Sequence, residues 1–359
     1  MLLCAGMGVK LSRRATLRDV ALRAGVSTAT VARVLHGRGY VAADTRQAVE
    51  RALGETGYSL NLLAQGLRRQ RTGIFGHVLH AIYPNPFYAE VALGVEQEAM
   101  AHGYSVLAYN VQGDPGRERA GVQTLIQRRV DAIIFTTPID AENVRLALAA
   151  GIPVVQVERP TPVPTPVVLL DNYVGTTAAM EHLILLGHRR IAFIGAGFER
   201  QEAPPPWSIE EQRFYGYRDT LGRHGMPFER DWVGLGQYYS LEADASANDG
   251  YRFSAQLLDL SPRPTAILAA CDLLAAGVLQ AAYERRLRIP GDLSVVGFDN
   301  TLAPCLSPPL TTVAQPMLQI GQAATRLALG QVQGEEQHGA PAVSLPLRLV
   351  VRASTGPVA

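Results

Sequence analysis

The chain has 359 residues, is 47% hydrophobic and 18% charged, and balances 33 Lys and Arg against 32 Asp and Glu for a formal charge of +1. That length predicts two or three domains, and the apolar content supports a sizeable core, which excludes a disordered chain or a coiled coil. No apolar run reaches the roughly 18 residues of a membrane span. The apolar start precedes its charges, the reverse of an export signal, and three scattered cysteines (Cys4, Cys271, Cys305) exclude a disulfide framework and a CxxC zinc site. The expectation is a cytoplasmic protein with no membrane contact.

The near-neutral total conceals two halves. Residues 10–72 carry twelve basic and four acidic residues, a net +8, which leaves −7 on residues 73–359. On charge alone this describes equally an arm that meets a polyanion and a basic surface with no specific partner. Residues 1–14 read as an extra tail. Thr16 then caps a short helix with Asp19 at its third position, a variant of the capping box, and Val20, Ala21 and Ala24 form its apolar face. Gly25 supplies a tight turn, and Ser27 caps a second helix, Thr28–Leu35, with Val31, Val34 and Leu35 inward. Helix, glycine turn, helix is the helix-turn-helix unit. A third helix over Asp44–Thr56 closes the core with Val49, Ala52 and Leu53. Residues 15–60 are thus an all-α head. Asn61–Arg69 reads either as a short basic helix, weakened by Gly66, or as a plain linker.

From Thr16 to Leu67 the text TLRDVALRAGVSTATVARVLHGRGYVAADTRQAVERALGETGYSLNLLAQGL resembles the lactose/galactose repressor family of bacterial transcription regulators. The resemblance implies that the second helix enters the major groove, with Thr28, Ala29 and Arg33 at base edges and Ser27 and Thr30 near phosphates. Arginine suits guanine O6 and N7 through two parallel hydrogen bonds. Tyr40, Asn61 and Ala64 join the DNA contacts on the same ground, and residues 61–72 become a hinge whose Leu67 wedges into the minor groove. Wedging an apolar side chain unstacks a base step and bends the duplex. Leu60, Gln65, His36 and Ala32 depart from the family pattern, which has Pro, a basic residue, Asn and Ser there.

Beyond Thr72, strands and helices alternate. Strands are predicted at Ile74–Leu79, Ser105–Tyr109, Val130–Phe135, Val154–Val157, Arg190–Ile194, Ala266–Ala269 and Leu293–Val296. Helices are predicted at Phe87–His102, Arg117–Arg128, Asn143–Ala150, Tyr173–Leu186, Glu210–His224, Tyr251–Leu260 and Leu273–Arg286. Continuous apolar strands between helices indicate parallel sheets covered on both faces. A Pro-rich break, Pro160 to Pro166, suggests two doubly wound lobes: lobe one about 73–170 and 304–338, lobe two about 171–303 and 339–355. Ligands of such sheets bind beyond the carboxyl ends of the strands. That rule points to Tyr83–Tyr88, Asp171–Asn172, Gly195–Gln201, Tyr238–Tyr239, Cys271–Asp272 and Asp299–Asn300. Asp299 leaves a buried strand, where a carboxylate either accepts hydrogen bonds from ligand hydroxyls or amines, or caps the next loop.

The resemblance continues through the body, in words such as NPFYAEVALGVEQEAMAHGY, RPTAILAACDLLAAGVL and IPGDLSVVGFDN, as an effector domain similar to periplasmic sugar-binding proteins. It implies an effector cleft lined by Phe87, Tyr88, Arg213, Tyr239, Cys271 and Asp299, with Asp171 and Asp272 as further candidates. Aromatic faces pack on a sugar ring or a base, while Asp and Arg fix polar edges. Cys271 stands where Asn or Ser is frequent, so fewer polar groups are expected on that part of the effector. Trp207 reads as a lid or, more readily, as a packed loop residue.

The implied function is a ligand-responsive repressor acting as a homodimer on pseudo-palindromic operator DNA. Its expected effector is a sugar or sugar derivative, ahead of a purine. Two alternatives compete: a sugar-binding sensor with no DNA role, and a sugar- or nucleotide-processing α/β enzyme. The enzyme reading lacks a catalytic constellation: His77 and His80 have no third metal ligand, Gly195-Ala-Gly197 lacks the third glycine of a dinucleotide fingerprint, and no GxxxxGK[ST], HExxH or GxSxG occurs. No enzyme activity, metal or cofactor is expected. The C-terminal stretch, Ala342–Ala359, carries no heptads for a tetramer helix.

Overall fold

The computed structural model describes residues 15–36, 39–58, 71–198, 208–238, 248–334 and 339–358. Two units divide the chain, Met1–Gln70 and Arg71–Ala359. In the first, helices α1 (Leu17–Ala24), α2 (Thr28–His36) and α3 (Ala43–Thr56) enclose Val20, Ala21, Val31, Val34, Val49 and Ala52. The Thr16 hydroxyl and the Asp19 amide close the predicted capping box, and Gly25 takes φ +68° at the turn. The Thr30 amide donates to Ser27 Oγ at 3.1 Å, which fixes the start of α2. Such caps contribute about 1 kcal/mol each, a useful increment for so small a core. Arg23 of α1 and Glu55 of α3 pair at 2.5 Å across the surface.

The second unit holds two six-stranded sheets. In chain order its elements begin with β1 (Ile74–Leu79), α4 (Pro86–Ala101), β2 (Ser105–Asn110), α5 (Pro115–Gln127), β3 (Ala132–Thr136), α6 (Ala141–Ala149), β4 (Val154–Val157) and β5 (Val167–Leu170). Then follow α7 (Asn172–Leu185), β6 (Ile191–Ala196), α8 (Ile209–Arg223), β7 (Val233–Gly236), α9 (Asp249–Leu258), β8 (Ala266–Ala269), α10 (Asp272–Glu284) and β9 (Ser294–Asp299). The chain closes with β10 (Thr311–Ala314), α11 (Met317–Gln333), β11 (Ala342–Leu345) and β12 (Arg348–Val350). The sheet orders are β11-β5-β4-β3-β1-β2 and β12-β10-β9-β8-β6-β7. All pairs are parallel except β10 with β12. Central strands such as β3, β4, β8 and β9 are buried along their whole length, as sheets covered on both faces require.

The chain passes between lobes three times: after β5, between β10 and α11, and between β11 and β12. The expected division of the C-terminal third is therefore corrected. Residues 304–314 end in β10, which is in register with β9 of lobe two (Thr312 beside Gly297). Helix α11 instead packs Met317, Ile320 and Ala324 into the core of lobe one. Strand β11, expected in lobe two, pairs with β5 of lobe one (Ala342 beside Val167). The Pro-rich segment joins β4 to β5 within one sheet.

Candidate functional site: a basic helix face and an inter-lobe cavity

In the head, the apolar spacing of α2 buries Val31 and Val34 and turns the intervening residues outward. Ser27, Thr28, Ala29 and Arg33 are exposed and Thr30 is half-buried. Tyr40, after the helix, is 93% exposed. The expected DNA residues up to Tyr40 therefore share the outer surface of the head. Part of Ser27's bonding capacity is used internally, since its hydroxyl also meets Thr30 Oγ1 at 2.9 Å. Asn61, Ala64 and Leu67 lie outside the described residues.

Between the carboxyl ends of the two sheets of the body lies a cavity of about 550 Å³. Lobe one supplies His80, Phe87, Tyr88, Thr137, Glu158 and Arg159, lobe two supplies Ile209, Glu210, Arg213, Tyr238, Cys271 and Asp299, and Gln315 comes from the connection between them. Each stands at a strand end or on the first turns of the helix that follows, which is why an α/β fold concentrates them there. Three cavity residues have left-handed backbone: Thr137 at φ +54°, Glu158 at φ +68° and Asp299 at φ +107°. Such conformations cost about 1–3 kcal/mol each in a non-glycine residue, and they aim strand-end side chains that an extended backbone directs elsewhere.

Arg213 is tied into the wall of lobe two. Its Nε donates to Asn172 Oδ1 at 2.9 Å and one terminal nitrogen to the Ala270 carbonyl at 2.6 Å. Its other terminal nitrogen stands 3.9 Å from Asp299, and its plane lies over Phe298, 3.9 Å from the ring centre. Burial pushes the Asp299 carboxyl well above its usual range despite the opposing pull of Arg213. Arg159 meets Glu210 in a two-pronged bond across the cleft, at 2.9 and 2.5 Å. Burial alone raises an acid, but for Glu210 the Arg159 partner outweighs it and the carboxyl lies below its ordinary value. Glu158, raised by burial, meets the Gln315 amide at 3.4 Å. Tyr238 Oη and Gln315 Oε1 are buried and have no partner among the described residues. His80 stacks on Tyr88 at 5.8 Å, and burial and then Arg159 lower its pKa.

Five of the eight expected effector residues, Phe87, Tyr88, Arg213, Cys271 and Asp299, thus come together. Asp171 does not: it is exposed and caps α7 through the Val174 amide. Asp272 is buried below the cavity, where it accepts from Thr312 Oγ1 at 2.7 Å and from the amides of Leu302 and Ala303. Tyr239 lies outside the described residues, and its neighbour Tyr238 lines the cavity. Cys271 has a structural task that its replacement of a polar residue had obscured: Sγ accepts from the Leu274 amide at 3.4 Å and so caps α10. Sequence reasoning missed Glu158, Arg159 and Glu210. Glu158 directly follows β4 as Asp299 ends β9, so the strand-end rule reaches it once the Pro-rich stretch beyond is not taken for a boundary. Glu210 precedes Arg213 by three positions and shares its inward helix face. Among the described residues no group of His, Cys, Asp and Glu is placed to hold a metal, and no helix is long and apolar enough to cross a membrane.

Comparison with known proteins agrees with this anatomy. The profile described as bacterial regulatory proteins, lacI family, matches residues 16–61, and that of a periplasmic binding protein-like domain matches residues 180–355. The chain is 36% identical over 352 residues to the HTH-type transcriptional regulator DegA of Bacillus subtilis, covering 96% of this chain and 99% of that protein. It is 33% identical to catabolite control protein A of Priestia megaterium, covering 95% and 99%. Among solved structures, the lac repressor dimer bound to operator and the anti-inducer ONPF superposes with a TM-score of 0.79 at 29% identity, over 96% of this chain and all of that one. A transcriptional regulator CelR–cellobiose complex gives 0.68 at 30%, over 95% and all. With its helix-turn-helix head and its paired α/β lobes, the chain belongs to the lacI family of bacterial transcriptional regulators.

Proposed function

We propose that this chain is an operator-binding repressor whose DNA affinity is set by a sugar or sugar derivative held in the inter-lobe cavity. The observation that carries the reading is the coexistence of an exposed Thr28-Ala29-Arg33 helix face with a cavity walled by both lobes. In DNA contact, Arg33 reads a base edge while Ser27 and Thr30 position the helix on phosphates. Asn61, Ala64 and Leu67 make the hinge contacts. A ligand touching both lobes binds most tightly at one lobe spacing, and linkage then makes operator and effector affinities depend on each other.

Names of similar proteins support a sugar: one neighbour was solved with cellobiose and another, from Enterococcus faecium, with ribose. Phe87 and Tyr88 offer ring faces, and Asp299, Glu158 and the unpartnered Tyr238 and Gln315 atoms offer polar partners for hydroxyls. A second copy of the chain completes the regulator, since two heads match a two-fold site. Leu93 and Met100 on α4 and Tyr283 on α10 expose apolar surface for such a dimer.

A thermal-shift screen of the full chain against sugars and nucleobases tests the effector assignment. We expect stabilisation by an uncharged polyhydroxy compound and a tenfold or greater weakening of that compound's binding in Asp299→Ala, since leaving a buried polar partner unsatisfied costs about 1–3 kcal/mol. Unchanged binding in the variant contradicts the placement of the effector in this cavity.

A further inference from the structure

The cavity contains an anion of its own. Glu210 lies in the first turn of α8, at the positive end of a 15-residue helix, and its carboxylate takes both prongs of the Arg159 guanidinium, at 2.9 and 2.5 Å. A helix start facing a planar, two-pronged donor is the arrangement that receives a phosphate or carboxylate. Here a protein carboxylate fills it. The second guanidinium, Arg213, donates to Asn172 and to the Ala270 carbonyl and stands 3.9 Å from Asp299. These two are the guanidiniums of the wall among the described residues, and Glu158 meets the Gln315 amide at 3.4 Å. A phosphorylated or carboxylated ligand must displace Glu210 to reach the Arg159 fork.

We propose that the Arg159–Glu210 pair is a specificity clasp that keeps anionic compounds out of the effector cavity, restricting the effector to an uncharged or amine-bearing polyhydroxy compound. The pair also joins lobe one, through the residue pair that follows β4, to lobe two, so it fixes the lobe spacing at which the effector is received. Burial raises the Glu158 and Asp299 carboxyls, so Glu210, held below its ordinary value by Arg159, is the carboxylate that carries the exclusion. The ionisable groups facing Glu158 and Asp299 are Arg159, Glu210 and Arg213, with Asp272 beneath Asp299.

The inference rests on the cavity being the effector site. Its test uses inorganic phosphate, which fits the clasp irrespective of the effector's identity. Isothermal titration of the full-length native chain, of Glu210→Gln and of the double variant Arg159→Gln with Glu210→Gln is compared at one ionic strength. We expect no saturable phosphate binding to the native chain up to about 10 millimolar, saturable binding at about 1 millimolar or tighter in Glu210→Gln (tenfold is about 1.4 kcal/mol), and its loss in the double variant. Glu210→Ser substitutes for Glu210→Gln should the latter fail to fold by circular dichroism. Saturable phosphate binding to the native chain, or no gain in the single variant, overturns the clasp. If uncharged sugars still bind the native chain in that event, the effector reading survives. If phosphate behaves as expected but no uncharged polyol binds, the effector reading fails alone.

Discussion

Asp299 shows how much chemistry one backbone angle sets. At the end of β9, with φ at +107°, its carboxylate faces Arg213 inside the cavity instead of continuing the strand's alternation. A charge at the end of an apolar strand stands out in the text, and Asp272, three residues after the end of β8, stands out as much, yet it anchors the Leu302 and Ala303 amides. Sequence separates neither case, since both follow from which way one peptide turns. His77 gives a residue-scale test of the core. It is buried in β1, with Nε2 2.8 Å from Thr136 Oγ1, and burial lowers its pKa to about 3. Below the unfolded value of 6.5 the unfolded chain binds a proton that the folded chain refuses, so stability falls as pH drops from 6.5 towards 3. Between pH 7 and 5 this amounts to about 2 kcal/mol. Denaturant titrations should find that loss smaller by about that amount in His77→Asn; an identical pH dependence argues against the buried neutral imidazole. In the head, Arg33→Ala should cost about 1–3 kcal/mol of specific DNA binding and relax the choice of one base pair. A uniform loss across sequences assigns Arg33 to phosphate instead.

Helices in the body are held by glycines where pairs touch closely. Gly94 on α4 faces Leu318 on α11, and a Cβ there meets the Leu318 carbonyl oxygen at 2.2 Å; Gly321 returns the contact onto Val91. Gly250 of α9 and Gly277 of α10 repeat the arrangement. These contacts are backbone on side-chain-free backbone, so a methyl group forces the helices apart. Gly321→Ala is expected to destabilise the body by about 1–3 kcal/mol or more, read as a lowered denaturant midpoint, with the head's helical signal preserved. No shift means the pair repacks freely. Regular alternation of apolar strands and helices made the elements up to β9 readable, except β5 and β7. The last part, β10 and α11 to β12, was not read as elements. The sheet membership of its strands depends on crossings between lobes, and no local pattern encodes it. Strand β7, with two glycines in Val233–Gly236, escaped for a related reason: it lacks the apolar run of its neighbours.

The molecule as a whole separates its charge by task. Residues 10–72, at +8, carry the attraction to a polyanion, and residues 73–359, at −7, oppose contact of the lobes with DNA. Light scattering should therefore find a dimer whose operator affinity falls with salt in proportion to the phosphates its two heads contact; a monomer at micromolar concentration contradicts the two-headed arrangement. The chain reads DNA sequence. Selection of bound duplexes from a random library by the full-length chain, at physiological salt, measures that directly. We expect enrichment of a two-fold-symmetric site whose recovery is lost in Arg33→Ala; binding without any enriched sequence, or no binding, contradicts sequence reading.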